Sequence, residues 1–353
     1  METAVTASGP AFSVGGEEVR VDYAAIEKSL SDLWRNENKD GQAVTRAALW
    51  NVVAHTWGAS DHARASQIMS IVAAAVPQRT IVIRSEPSGS PEISSWISAN
   101  CHLIGPEKQV CSEEVAIVAG GDRIDRVPPL VNALLLPDMP VAMWWHGDLP
   151  NTQSDYVDSL LEPADRLIVD SSFFDSPEDF AMVRRIAEQT TTTPADLNWV
   201  RLEEWRKATA TLFDPPEVRR RLNHIRTIGV VATSDRNSFG DSAESFLYAA
   251  WLTGQAQLGD VTYDFRTEKH DRDLGSLARV EIGFDDGSSA TILHDHERSV
   301  LVANYDGRTQ TLEGVTRVLS RGTEDLIIRQ LKRPEADAVF VRVLPLAIKL
   351  AAR

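Results

Sequence analysis

At 353 residues the chain is longer than the usual single domain, which predicts two domains, and a hydrophobic fraction of 43% supports a sizeable core. Its 36 Lys and Arg against 51 Asp and Glu give a formal charge of -15, with the acids spread along the chain rather than gathered in a tail. That balance excludes a phosphate-backbone partner, since nucleic-acid affinity rests on clustered Lys and Arg.

No apolar run reaches the length of about 18 residues that spans a bilayer. The first 19 residues, METAVTASGPAFSVGGEEV, lack the basic and apolar regions of a signal peptide and read as a mobile Gly-rich leader. Two cysteines, Cys101 and Cys111, fit a reducing compartment rather than a disulfide-built scaffold. A soluble cytoplasmic protein with no membrane partner is expected.

From Asp22 the positions Tyr23, Ile26, Leu30, Leu33 and Trp34 recur at helical spacing, ending at the polar run from Asn36 to Gly41. A strand over Ala47 to Ala54, a helix over Asp61 to Val76 and a β-branched strand over Thr80 to Ile83 make a β-α-β unit with parallel strands. Ile97, Ala99, Cys101 and Leu103 alternate on one strand face, and Glu114 to Ala119 is a second strand that pairs with it as a hairpin. Such a hairpin lets Cys101 and Cys111 approach each other. Pro128 and Pro129 open a helix from about Val127 to Leu136, followed by the stretch LLLPDMPVAMWWHGDLP from Leu134 to Pro150. Its strand ends on Trp144, Trp145 and His146, two tryptophans that either cap a core or face a ligand at an exposed strand tip.

Beyond Pro150 come a helix over Asp155 to Leu161, a strand over Arg166 to Val169 ending on Asp170-Ser171-Ser172, and a helix from Ser176 to about Gln189. A single helix capped by Asp196 runs to Phe213 with Trp199, Leu202, Trp205, Thr209 and Leu212 on one face. From Val218 the composition changes. A strand over Thr227 to Ala232, a helix opened by a capping box at Asp241 to Glu244, and strands over Val261 to Arg266, Ala278 to Phe284, Ala290 to Leu293, Val300 to Asn304 and Thr309 to Leu312 follow. Helices from Thr323 and from Ala336 close the chain. The pattern predicts an α/β domain over 20–216 with a mostly parallel, mixed sheet, then a smaller α+β domain over 217–353 with an antiparallel meander.

Dinucleotide, P-loop, zincin and α/β-hydrolase motifs are missing, so no catalytic residue and no cofactor is assigned. His294 and His296, two apart in HDHE, are the metal candidates, but no third ligand stands out and no metal is expected. Cys101 and Cys111 are redox candidates, with two buried small side chains as the competing reading. The carboxyl ends of the strands at Trp144, Trp145 and His146 and at Asp170 and Ser171 are where open α/β sheets bind ligands. One crevice shared by the two is the reading if the strands are neighbours, with Arg201 and Arg206 as anion ligands and Trp199 and Trp205 as hot-spot aromatics. This leaves an α/β enzyme or sensor binding a sugar phosphate or nucleotide between Trp144 and Asp170 as one function class.

The second class comes from a resemblance. PQRTIVI (77–83), VCSEEVAI (110–117), LLLPDMPVAMWWHG (134–147), ADRLIVDSS (164–172) and DLNWVRLEEWRKATATLFD (196–214) resemble, in this order, blocks of the glucose-6-phosphate dehydrogenase assembly protein family, OpcA. The resemblance covers most of 40–215, and the second half is similar in layout; the Gly-rich leader and Met139, where the family usually has Leu, depart from it. It implies a non-enzymatic assembly factor and allosteric activator that binds glucose-6-phosphate dehydrogenase and promotes its active oligomer in the oxidative pentose phosphate pathway. Redox control, thought to act in photosynthetic members, is not carried over to Cys101 and Cys111.

Overall fold

A computed structural model describes residues 14–15, 19–37, 44–46, 48–104, 108–149, 155–234, 238–269, 277–307, 311–318, 321–333 and 335–353. Most of the expected mobile leader, residues 1–13 and 16–18, lies outside the described residues. The chain forms two compact units, one of residues 1–147, 152–167 and 323–334, the other of residues 148–151, 168–322 and 335–353.

The first half runs β1 (Val14–Gly15), β2 (Val19–Val21), α1 (Ile26–Glu37), β3 (Val44–Arg46), β4 (Trp50–Thr56), α2 (Ala59–Ala75), β5 (Gln78–Glu86), β6 (Ile93–Ile104), β7 (Lys108–Gly120), α3 (Val127–Leu134), β8 (Val141–Trp145), α4 (Asp155–Leu161) and β9 (Arg166–Val169). It continues through α5 (Pro177–Gln189), β10 (Thr193–Asp196), α6 (Leu197–Arg201), α7 (Glu203–Leu212) and α8 (Pro216–Arg219). The strand order is β1-β6-β7-β5-β4-β8-β9-β10, with β2 also on β6 and β3 also on β7. β4 lies parallel to β5 and β8, and β5 parallel to β7, while β6 returns antiparallel along β7. That is the α/β class with a mostly parallel, mixed sheet.

The central strands are buried on both faces, which explains their unbroken apolar runs. Ile81, Val82 and Ile83 on β5 and Val52, Val53 and Ala54 on β4 have no exposed surface. α2 turns Ala65, Ile68, Met69, Val72 and Ala73 inward against them. Inside the same unit Arg79 on β5 is 2% exposed and holds Glu113 of β7 by an ion pair of 2.7 Å. Its guanidinium also donates to Glu27 of α1 and to the Leu134 carbonyl, and Trp34 of α1 donates to Glu113. A buried charge survives there because each of its oxygens and nitrogens has a partner.

The second half runs β11 (Ile225–Thr233), α9 (Phe239–Gln255), β12 (Thr262–Glu268), β13 (Leu277–Phe284), β14 (Ser289–Asp295), β15 (Val300–Asp306), β16 (Thr311–Arg317), α10 (Thr323–Lys332) and α11 (Ala338–Ala351). Its six strands are ordered β12-β11-β13-β14-β15-β16. From β13 to β16 the pairing is an antiparallel meander. β12 instead lies parallel to β11, because α9 carries the chain over the sheet between them, the connection a parallel pair requires. The alternation is of the one-sided kind: Val280, Ile282, Ala290, Ile292, Leu301, Ala303 and Tyr305 are buried, with more exposed residues between them.

Two local expectations are corrected. The helix expected over Asp196 to Phe213 is two helices, since Leu202, at φ -70 and ψ -6, is the C-cap of α6 and the N-cap of α7. α9 starts at Phe239 rather than after Asp241, because Ser238 and Asp241 exchange the reciprocal cap bonds and Ser234 donates to Asp241 at 2.6 Å. Glu244 is therefore carried into the helix and buried.

Candidate functional site

In the first unit the carboxyl ends of three parallel strands bring together a small polar cluster. β4 ends on His55, β5 carries Ser85 and β8 ends on Trp145, with Tyr156 supplied by α4. His55 Nε2 lies 3.0 Å from Ser85 Oγ, which lies 2.7 Å from the Tyr156 hydroxyl. The imidazole stacks on Trp145 at 4.1 Å between ring centres and 24° between planes, and meets the Trp57 edge at 4.6 Å. Burial pushes the His55 pKa down to about 3, so the ring is neutral at neutral pH. Burial raises the Tyr156 hydroxyl above its ordinary value, against the Ser85 bond, which lowers it. His55 Nδ1 has no hydrogen-bond partner among the described residues. The cluster is an uncharged chain of hydroxyls and imidazole packed against aromatic rings; among the described residues no carboxylate orients the imidazole as a general base requires.

The expected exposed strand tip is corrected here. Trp144 and Trp145 are 0% and 1% exposed and His146 is 6% exposed. Because β8 is an interior strand with β4 beside it, its whole run VAMWW is buried, and His146 continues the ladder by donating its amide to the His55 carbonyl at 3.0 Å. Trp144 packs against the His146 ring at 4.9 Å.

In the second unit Asp170, Ser171, Asp196, Asn198, Arg201 and Glu244 form a buried polar cluster. Arg201 donates to both Asp170 oxygens, at 2.8 and 2.7 Å, the fork geometry that suits a carboxylate. Asp170 caps the following turn by accepting from Ser172, and Ser171 donates its amide to Asp196 at 3.0 Å and accepts from the Asn198 amide at 3.1 Å. Burial pushes Asp170 up, but the charge and bonds of Arg201 outweigh it and the carboxyl sits below its ordinary value. Asp196 and Glu244 have no such partner. Burial, with the nearby Asp170 charge, raises Asp196 to about 7, and burial raises Glu244 to about 8 against the pull of Arg201. Glu244 accepts from the Leu277 amide at 3.2 Å with one oxygen, while its other oxygen and Asp196 Oδ2 have no hydrogen-bond partner among the described residues. Three carboxylates around one guanidinium are compatible with burial when the two unpaired ones hold protons.

The other expected binding residues are engaged within their own unit. Trp199 is 3% exposed, donates its indole N–H to Asp337 at 2.7 Å and carries the Arg206 guanidinium 3.7 Å over its ring. Arg206 also donates to the Trp199 carbonyl at 2.7 Å, and Trp205 is buried. Neither Arg201 nor Arg206 is placed as a free anion ligand, because each is already bound to the protein. The His294 and His296 rings lie 4.0 Å apart, and among the described residues no group of three or more His, Cys, Asp and Glu is arranged to hold a metal ion. Cys101 and Cys111 are directly opposite across β6 and β7, and Cys111 is disulfide-bonded.

His55, Ser85, Tyr156 and Glu244 are not among the site residues that the sequence suggests. The readable signals are a lone histidine in the apolar run VVAHTWG and a glutamate on the apolar side of a helix, each a polar group that must find a partner.

Comparison with known proteins gives a consistent result. The family model for the glucose-6-phosphate dehydrogenase subunit N-terminal domain matches residues 70–187, and that for the C-terminal domain matches residues 192–344. A putative OxPP cycle protein OpcA from Synechocystis sp. is 25% identical over 309 residues, 78% of this chain and 64% of that protein. One from Synechococcus elongatus is 25% identical over 311 residues, 78% of this chain and 68% of that protein. The chain thus spans 64% of the length of the Synechocystis relative. An oxidoreductase structure from Sinorhizobium meliloti aligns with TM-score 0.51 and 8% identity over 87% of this chain and 96% of that one, a likeness of fold alone. No helix among the described residues is long and apolar enough to cross a membrane.

Proposed function

The chain belongs to the glucose-6-phosphate dehydrogenase subunit family that includes OpcA, and from that premise we propose that it is a non-enzymatic subunit that binds glucose-6-phosphate dehydrogenase and promotes its active oligomer. The observation that carries the reading is the match of both family domains, in order, over residues 70–187 and 192–344. The physical requirement is differential affinity. A subunit that binds the active and inactive enzyme equally shifts nothing, whereas one that binds the active oligomer more tightly raises its population by that ratio.

The polar clusters support this reading over a catalytic one. In the first unit His55 is a neutral, sealed imidazole, and in the second Asp170 is already taken by Arg201. A sugar phosphate or nucleotide held by Trp144 and Asp170 would need contact with side chains that are 0% and 4% exposed. The test is sedimentation velocity and steady-state kinetics on the dehydrogenase of the same organism, with and without the chain. Co-sedimentation with a larger enzyme species and a higher rate are expected; independent boundaries with an unchanged rate overturn the proposal.

A further inference from the structure

The second unit holds a cavity of about 390 Å³ between the end of α9, the segment that leads into β12 and the last turns of α11. That volume falls in the range of about 300–1,000 Å³ in which proteins take small molecules. The cavity opens where α9 stops. Gln257 turns the chain at φ 50, and Ala256 and Leu258 donate their amides back to the Leu252 and Thr253 carbonyls. The chain then runs out through Gly259, where a side chain would meet no other atom within 4 Å, before it joins the sheet at Thr262. Leu258 and Leu346 supply apolar wall.

Two cations line the cavity, Lys349 in the last turn of α11 and Arg353 just past its end. The Arg353 guanidinium lies 5.3 Å from the centre of the Tyr263 ring, whose hydroxyl is 3.0 Å from Thr253 Oγ1. Among the described residues neither cation has an ion pair or a side-chain hydrogen bond, so the three donors of the ammonium and the five of the guanidinium are open to a ligand. Asp260 is the one carboxylate side chain in the lining, and it too has no side-chain partner among the described residues. The side-chain charge around the cavity is thus two cations and one carboxylate, none of them neutralised inside the protein. Attraction to the carbonyl end of α11 accounts for the position of the cations but uses none of their donors.

The lining selects for chemistry. On a chain of formal charge -15 most of the surface repels an anion, so its capture needs a local reversal of sign. α11 provides it, since between Ala338 and Ala351 it carries Arg342 and Lys349 and no acid. An anionic group between Lys349 and Arg353 makes charge-assisted hydrogen bonds, about twice as strong as neutral ones. Asp260, which only accepts when ionised, calls instead for hydroxyl donors, and the Thr262 hydroxyl beside it both donates and accepts. A bare anion leaves Asp260 facing a like charge, and a neutral sugar leaves both cations to water. One molecule that joins an anionic group to a polyol answers both halves.

We propose that this cavity binds a small polyhydroxylated anion, of the sugar phosphate or sugar acid class, with its anionic group between Lys349 and Arg353 and its hydroxyls on Asp260 and Thr262. The aromatic ring beneath Arg353 and the helix that carries Lys349 hold the cations near their bound positions, so little ordering is required on association. Binding requires this chain alone and stands apart from the proposed function.

The test is isothermal titration calorimetry of the full chain with glucose 6-phosphate, gluconate, glucose and inorganic phosphate. Glucose 6-phosphate or gluconate is expected to bind with a Kd of about 1 mM or lower, and the tighter of the two shows whether phosphate or carboxylate is the preferred head. Glucose and inorganic phosphate are each expected to bind at least about tenfold more weakly. Lys349→Gln with Arg353→Gln, at two exposed positions, is expected to raise the Kd about tenfold or more while the melting temperature stays close to wild type. Asp260→Asn is expected to weaken the sugar-bearing probe but not inorganic phosphate. Arg342→Gln, on α11 outside the cavity, is expected to change neither. Amide exchange with the bound probe is expected to slow over 253–263 and 346–353. No heat with either sugar anion up to about 10 mM would overturn the proposal, as would a double variant that binds within about twofold of wild type. Inorganic phosphate that binds as tightly as glucose 6-phosphate would overturn the polyol half and leave a simple anion site.

Discussion

Glu244→Gln removes one titrating group from the buried cluster of the second unit while keeping its shape and its acceptor for the Leu277 amide. In the wild type burial raises Glu244 from 4.5 to about 8. Above its ordinary value the unfolded chain releases the proton and the folded chain keeps it, so the folded state binds more protons. The stability Glu244 contributes is therefore fully present below pH about 4.5 and is lost as pH rises toward about 8, by about 1.4 kcal/mol per pH unit for one fully linked group. Between pH 6 and 8 the wild type should lose about 2 to 3 kcal/mol through Glu244, and Asp196, raised to about 7, adds a smaller loss ending earlier. The Gln variant should keep only the Asp196 part. Amide hydrogen exchange of peptides from β13, which starts at the Leu277 amide, reads the opening of this unit after correction for the intrinsic rate. Wild type and variant with parallel stability against pH would refute the assignment of the excess proton to Glu244.

Other perturbations test the same physics. Arg201→Ala leaves Asp170 buried without its counter-ion and should lower stability by about 3 to 5 kcal/mol in urea unfolding, while Asp170→Asn added to it should recover part of that loss. Gly240→Ala would place a methyl group 2.2 Å from the Ser172 carbonyl, both backbone-held, and should lower the melting temperature by the equivalent of about 1 to 3 kcal/mol. His55, pushed down to about 3 by burial, makes its pH-dependent contribution fully above about 6.5 and loses it as pH falls toward 3. His55→Gln should therefore unfold at lower pH relative to its own neutral-pH stability than the wild type does, as followed by circular dichroism.

Much of the fold is legible because burial on both faces writes itself into composition. β8 is a continuous apolar run and β5 carries one at Ile81 to Ile83, and the β13 to β16 meander shows the alternation of a one-sided sheet with Gly287 at positive φ in its first turn. Partnerships are less legible, because they join distant positions. Nothing local to Arg201 says that its fork closes on Asp170, or that His55 finds Ser85 thirty residues on. Trp144 and Trp145, just ahead of His146 and Gly147, look like an exposed tip until the neighbouring strand β4 is known. The parallel pairing of β12 was likewise hidden, since an amphipathic helix between two strands gives a crossover only when both strands join one sheet.

The central claim is that this chain acts by binding the dehydrogenase and favouring its active oligomer. Sedimentation velocity of the dehydrogenase at fixed concentration, titrated with the chain while activity is followed on the same samples, tests it most directly. The account predicts a faster-sedimenting complex that accumulates in step with the rise in activity. Two unchanged boundaries with constant activity, or a complex that forms without any change in rate, would contradict it.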